Sequence, residues 1–186
     1  MKFKIFLVLI LLSACGKSSQ SVVYHDPLMD FGAVQTVAFM PFANLTRDNL
    51  AAERVRNTMM SMFWATESFY VVPEGEVLRG ISRTNIKNPI APSTEEIIKF
   101  ASMVKANAVL TGVVKEYGEI RSGSISSSVI SVSLQMLETE SGKVIWAVSS
   151  TKGGVTTVDR LFGGGGRAMN EITEKAVSDV INKLFN

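Results

Sequence analysis

From Val34 onward the chain alternates short apolar runs with stretches whose apolar residues recur at helical spacing. Val34 to Phe42 reads VQTVAFMPF, and a run this short, closed by Pro41 and then Asn44 and Thr46, predicts a buried strand. Thr46 or Asp48 is placed to cap the helix announced by Ala51, Val55, Met59 and Phe63, which share one stripe. Phe69 to Val72 (FYVV) predicts a second strand, and Val77 to Asn88 reads as polar and irregular, with at most one helical turn. After the breaks at Pro89 and Pro92, Ser93 and Glu96 form a capping box, and Ile97, Ala101, Val104 and Ala108 line one side of the next helix. Ala108 to Val114 (AVLTGVV) is apolar on both faces, as a central strand is. Ser122 to Ser128 reads as a loop or weak strand end. Ile130, Val132, Leu134 and Met136 then alternate with Ser131, Ser133 and Gln135, which predicts a half-exposed strand. Glu140 to Lys143 is a turn, and Val144 to Ser150 returns as the antiparallel partner. Gly163 to Gly166 precede a last helix with Met169, Ile172, Ala176, Val180 and Leu184 inward. The order predicts an α+β domain, a mixed sheet of four or five strands with about three helices packed on it.

The first fifteen residues follow another logic. Lys2 and Lys4 precede an apolar run from Ile5 to Leu12, and Leu12-Ser13-Ala14-Cys15 closes it. The run is too short for a membrane span, which takes about 20 apolar residues, and it has the length of a secretory signal. Small residues before a cysteine fit a lipoprotein signal peptidase, so the expected organisation is a signal at 1–14, a lipidated Cys15 and tether over 15–30, and a single domain over 31–186. Gly16 to about Tyr24 is its Ser-rich spacer. Removing Lys2 and Lys4 from 19 basic residues leaves 17 against 17 acidic ones, so the mature chain is formally neutral. Neutrality, with no basic run among aromatics, excludes an electrostatic nucleic-acid binder.

The one Cys is the lipidated one and the one His, His25, lies in the tether, which rules out a Cys/His zinc site, a disulfide and a thiolate catalyst. No cofactor motif and no catalytic set is found, and Gly16-Lys17-Ser18 lacks the earlier glycine and strand of a phosphate loop. Glu116 with Glu119, Glu138 with Glu140, and Asp159 with Arg160 read as solvated charge, and Phe162 to Arg167 as a connection whose free N–H groups have the chemistry to hold an anion. Met59, Met60, Met62, Phe63 and Trp64 cover an arc of roughly 200°, against the ~100° an amphipathic helix needs. They are the candidate partner-binding residues; the competing reading is burial between the sheet and another segment.

VAFMPFANLT entering a helix, FYVV, NAVLTGVVKEYGE and LETESGKVIWAVSS, in that order over residues 34–186, resemble the periplasmic lipoproteins related to the curli secretion protein CsgG, whose core resembles the N-terminal domain of TolB. The motifs are Pro41-Phe42-x-Asn44, Asn107-Ala108-x3-Gly112 and Thr139-x2-Gly142-x3-Trp146. The resemblance implies a non-enzymatic domain that assembles with envelope protein partners, a homo-oligomer among them. It does not imply a pore: neither Ser122–Ser128 nor Ser150–Leu161 supplies two membrane strands of about 9–11 residues. The expected function is an adaptor or assembly component of an envelope secretion or transport system. The alternative is an activator of a peptidoglycan synthase like LpoB, which the short tether disfavours if a thick wall must be crossed. Gly16 after the lipid cysteine favours the outer membrane, although Lys17 and Ser18 favour inner-membrane retention in some bacteria.

Overall fold

The computed structural model describes residues 22–123, 125–153 and 166–185. The expected signal segment, Cys15, Asp159, Arg160 and Gly163–Gly165 lie outside the described residues. In chain order the elements are β1 (Val23–His25), a 3₁₀ turn (Phe31–Ala33), β2 (Thr36–Phe39), β3 (Ala43–Asn44), α1 (Ala51–Thr66), β4 (Tyr70–Val71), α2 (Glu74–Thr84), α3 (Thr94–Val104), β5 (Ala108–Ser122), β6 (Ile125–Glu138), β7 (Val144–Gly153) and α4 (Met169–Phe185). The class is α+β, as expected. The described sheet has seven strands in the order β1-β7-β6-β5-β2-β4, with β3 beside β5. Strands β1, β7, β6 and β5 are antiparallel neighbours, while β2, β3 and β4 run parallel to the strands they pair with.

Helices cover the sheet unequally. Strand residues Val37, Phe39, Leu110, Ile130, Val132, Leu134, Met136 and Trp146 bury one face against Val55, Met59 and Phe63 of α1 and Ile172, Ala176 and Val180 of α4. Each large side chain so buried is worth about 1.5–3 kcal/mol. On the opposite face Ala38, Met40, Val72 and Val109 meet Val77 of α2 and Ile97, Phe100 and Ala101 of α3. Beyond β5 that second cover reaches only Leu137 of β6 and Val144 of β7, beside the turn between them. Among the described residues no helix lies over the outward side chains of the remaining parts of β6, β7 and β1.

The local predictions fare unevenly. The alternation in β6 holds: Ile130, Val132, Leu134 and Met136 are buried, while Ser131, Ser133 and Gln135 are not. The capping box of α3 is formed, with the Glu96 N–H donating to Ser93 Oγ at 3.2 Å and the Ser93 N–H to Glu96 Oε2 at 2.8 Å. Ala108 lies in β5 rather than on α3, because Lys105 takes a left-handed conformation (φ 57°) and ends the helix. Helix α1 starts at a Leu50 cap without a side-chain bond; Asp48 instead accepts the Leu50 N–H and pairs with Arg54, each at 2.8–2.9 Å.

Two expectations are corrected and one is narrowed. Glu74–Thr84 is an eleven-residue helix, not an irregular stretch. Its inner face is built from Val77, Gly80 and Thr84, with Ile81 partly buried, too small and polar a set for an apolar pattern. Gly80 lets α2 approach α3 so closely that a Cβ there would stand 2.6 Å from Val104 Cγ1 and 2.8 Å from Phe100 Cε2. Of the two readings of Ser122–Ser128, loop or weak strand end, the strand holds and the loop does not: β5 runs to Ser122 and β6 from Ile125, with Ser126, Ser127 and Ser128 paired to Arg121, Ile120 and Glu119. The expected tether holds a strand, since Val23, Tyr24 and His25 pair with Val148, Ala147 and Trp146. The count rises accordingly, to seven strands and four α-helices among the described residues, from four or five and about three.

Candidate functional site

The expected partner-binding arc on α1 is mostly core. Met59 and Phe63 are 0 % exposed and Met60 3 %. Helix α1 is covered on two sides, by the sheet and by α4, so its apolar arc is wide for packing reasons. Met62 is half-buried against that core, and Trp64, 51 % exposed, is the one of the five that presents its ring to solvent. Phe63, Phe69 and Phe185 form a stacked series, with centroids 6.0 and 5.6 Å apart.

The charged candidates serve the fold. Glu138 accepts hydrogen bonds from the Glu140 N–H, the Ser141 N–H and the Ser141 hydroxyl, closing the turn into β7. Partial burial pushes its carboxyl up, but these bonds and nearby Lys143 outweigh that and hold it below the ordinary carboxylate value. Glu116 and Glu119 are exposed, and Glu119 accepts from Ser126 at 2.9 Å. At the described end of the glycine run, Gly166 sits against β6, where a Cβ would meet Ser126 O and Ser127 Cα at 2.8 Å. Arg167 pairs with Glu171 at 3.6 Å. Among the described residues no three His, Cys, Asp or Glu side chains converge as metal ligands.

Sequence reasoning missed the uncovered half of the sheet. Strand register places Thr111, Gln135, Ala147 and Tyr24 side by side in one row across β5, β6, β7 and β1. The next row runs Val113, Ser133, Ser149, with the Ser149 N–H donating to the Val22 carbonyl at 3.0 Å. Ile90, Ala91 and Pro92, in the link from α2 to α3, wall one side, and Val22 and Tyr24 wall the other. The groove between them has a volume of about 450 Å³, and among the described residues no charged side chain lines it. Ser133 and Ser149 share a hydrogen bond of 2.6 Å, and Ser131 and Thr151, one row further on, share one of 2.9 Å. The side chains of Tyr24, Thr111 and Gln135 make no hydrogen bond within the described residues. The alternation of β6 marks Ser133 and Gln135 as outward. The signal for the rest is the same alternation in Ala147, Ser149 and Thr151 of β7. A second hollow of about 410 Å³, at the turn from β6 to β7, is rimmed by Asp26, Asp30, Glu138, Glu140 and Lys143.

Comparison with known proteins places this geometry. The model of the peptidoglycan-synthase activator LpoB family matches residues 13–150. Among solved structures, a PelC dodecamer from Paraburkholderia phytofirmans has TM-score 0.59 at 15 % identity, over 88 % of this chain and 97 % of that one. Lipoprotein GNA1162 from Neisseria meningitidis has TM-score 0.59 at 18 % identity, over 82 % and 99 %. No curated protein matches. The resemblance to the CsgG and TolB group is thereby corrected, since the matching family model is that of LpoB. The reason lies in what the quoted motifs do. Asn44 Oδ1 accepts from the Thr46 N–H and hydroxyl, shaping the entry to α1. Asn107 Oδ1 accepts from the Gln35 and Thr36 N–H groups. A Cβ at Gly112 would collide with Leu134 and Phe42, and Trp146 is wholly buried. Such residues build a fold and do not discriminate among the families that share it.

Proposed function

The chain belongs to the peptidoglycan-synthase activator LpoB family, and from that premise we propose that it is a lipid-anchored, periplasm-facing protein that stimulates a peptidoglycan synthase by binding it. The observation that carries this reading is the extent of the family match, which begins at Ser13, beside the lipidation junction, and runs to Ser150 through the described strands. It favours the activator reading over a secretion adaptor. Lipidation at Cys15 is supported by the signal-like segment before it, and the similarly folded GNA1162 is itself described as a lipoprotein. None of the described helices is long and apolar enough to cross a membrane. Gly16 supports outer-membrane anchoring.

The protein acts by contact and not by catalysis. His25, the single histidine, packs edge-on against Phe31 with centroids 5.6 Å apart, and Glu138 and Asp179 are engaged in hydrogen bonds that hold turns and helices. The tether is short. Eight residues from Cys15 to Val23 span at most about 28 Å, so the synthase must come within that distance, plus the breadth of the domain, of the anchoring leaflet. Trp64 of α1 and Phe185 of α4, 51 % and 47 % exposed, are apolar side chains available to such a partner.

The test is reconstitution. With a purified peptidoglycan synthase of the same organism, addition of the protein is expected to raise the rate of glycan polymerisation several-fold and to retain the synthase on an affinity resin. No retention and no change in rate with any of that organism's synthases overturns the reading. Light scattering on the same sample counts the copies, a point of interest because PelC, of the same fold, is a dodecamer.

A further inference from the structure

We propose that the groove on the uncovered face of the sheet binds a short stretch of uncharged glycan chain, a ligand separate from the synthase contact. Its volume, about 450 Å³, lies in the range of pockets for small ligands, and a stable protein partner needs a much broader surface, about 800 Å² on each side. Among the described residues its lining carries no charge, so a phosphate, carboxylate or ammonium would be desolvated there without a counter-ion from them, which is unfavourable. The groove therefore selects a neutral ligand.

Extended peptides fit poorly. They are recognised on sheets through main-chain hydrogen bonds to a free edge. The floor strands β5, β6 and β7 each have a neighbour on both sides, so their main-chain groups are engaged in the ladders. What the floor offers is side-chain chemistry alone: the Thr111 hydroxyl, the Gln135 carboxamide, the bonded Ser133–Ser149 pair and, at the rim, the half-exposed Tyr24 ring with its hydroxyl. Thr111, Gln135 and Tyr24 share one row, and none is committed to a hydrogen bond within the described residues. Hydroxyls and an amide that both donate and accept, beside an aromatic face, match a sugar ring, which presents hydroxyls at its edge and C–H groups on its flat faces.

Chitotetraose, a neutral oligomer of N-acetylglucosamine, serves as the probe in calorimetric titration of the full lipidated chain, held in a detergent without a sugar headgroup. Saturable binding is expected. Tyr24→Ala and Gln135→Ala should each weaken it about five-fold, roughly the worth of one hydrogen bond, with the melting temperature unchanged. A photocrosslinker at position 135 should capture the sugar in competition with free oligomer. Absence of binding at millimolar probe, or binding indifferent to both substitutions, overturns the proposal. So does a crosslinker that captures only the synthase and is not protected by the sugar; that outcome would leave synthase activation standing and reassign the groove to protein.

Discussion

Arg56 lies on α1 with its side chain only 5 % exposed, and it joins three elements. Its Nη2 and Nε donate to the Phe39 carbonyl at the end of β2, at 3.1 and 3.3 Å, and its Nη1 pairs with Glu74 at the start of α2, at 2.6 Å. The planar fork lets one buried group serve a carbonyl and a carboxylate at once, which a lysine does not do. Glu74 itself is 49 % exposed, so water screens the ionic half of the arrangement. The carbonyl half is dry. Arg56→Met keeps the apolar stem and removes the fork, leaving the Phe39 carbonyl without that donor, and is expected to lower stability by about 2 kcal/mol. Glu74→Gln should lower it by less than about 1 kcal/mol. Urea denaturation of both variants checks the pair: losses of equal size would mean that the ion pair, and not the carbonyl, is what Arg56 is buried for.

Helix α4 is attached to the sheet through Asp179. Its carboxylate accepts from the Ser150 hydroxyl at 2.7 Å, pairs with Lys152 of β7 at 3.0 Å, and meets Lys183 one turn along its own helix. Partial burial pushes the carboxyl up, yet the bonds from Lys183, Ser150 and Lys152 and the charge of Lys152 more than offset it and leave it below the ordinary value of 3.8. A carboxyl depressed by folding contributes stability that is fully present above its unfolded value and is lost as pH falls through the folded one. Asp179→Asn should therefore melt lower than the parent at neutral pH, with the gap closing as pH drops below about 4. Melting curves across that range check it, and a gap that stays constant would mean that the carboxylate's charge is not what holds the helix. Elements of this kind were only partly legible in the sequence. Period-two alternation announced β6, and Ser93 with Glu96 announced α3, because both signals are local. Helix α2 was hidden because its inner face is Gly80 and Thr84 as much as Val77, and closeness to α3 takes the place of apolar bulk there. Strand β1 was hidden because three residues carry almost no pattern and, among the described residues, pair with β7 alone. The groove inherits that difficulty. Ser133 and Gln135 were visibly outward, but Tyr24 and Thr111 join their row only through strand register, which no local window encodes. The α1 arc was misleading for the opposite reason: Met59 and Phe63 are apolar where two layers meet, so their width measures packing on two sides.

For the molecule as a whole, the proposed anchoring raises the question of what would keep a domain without net charge at a membrane surface. The chain carries 19 basic and 17 acidic residues; two lysines, Lys2 and Lys4, and no acidic residue lie in residues 1–14, so cleavage at the proposed signal junction would leave 17 of each. Attraction to anionic lipid falls with ionic strength, the screening length being about 3 Å at 1 M salt. Lipid chains act differently. Each buried CH₂ contributes about 0.8 kcal/mol, and two or more chains anchor stably where one does not. Hydrophobic anchoring is not weakened by salt. A wash at about 1 M sodium chloride is therefore expected to leave the protein in the membrane fraction, where a protein held by charge would be released. Cys15→Ser should block lipid transfer and processing together, so that intact-mass measurement finds residues 1–14 still attached and no acyl chains. Replacing residues 1–15 by an ordinary cleavable secretory signal should then yield a soluble periplasmic domain that still stimulates the synthase when added at high concentration and fails at the low concentrations at which the anchored form works, because tethering to a surface raises the effective concentration of one partner near the other. Full activity of the soluble form at low concentration would show that the lipid contributes location only. Release of the native protein by salt would show that no acyl chain holds it, and would remove the anchor on which the reach of the tether, and hence the geometry of activation, depends.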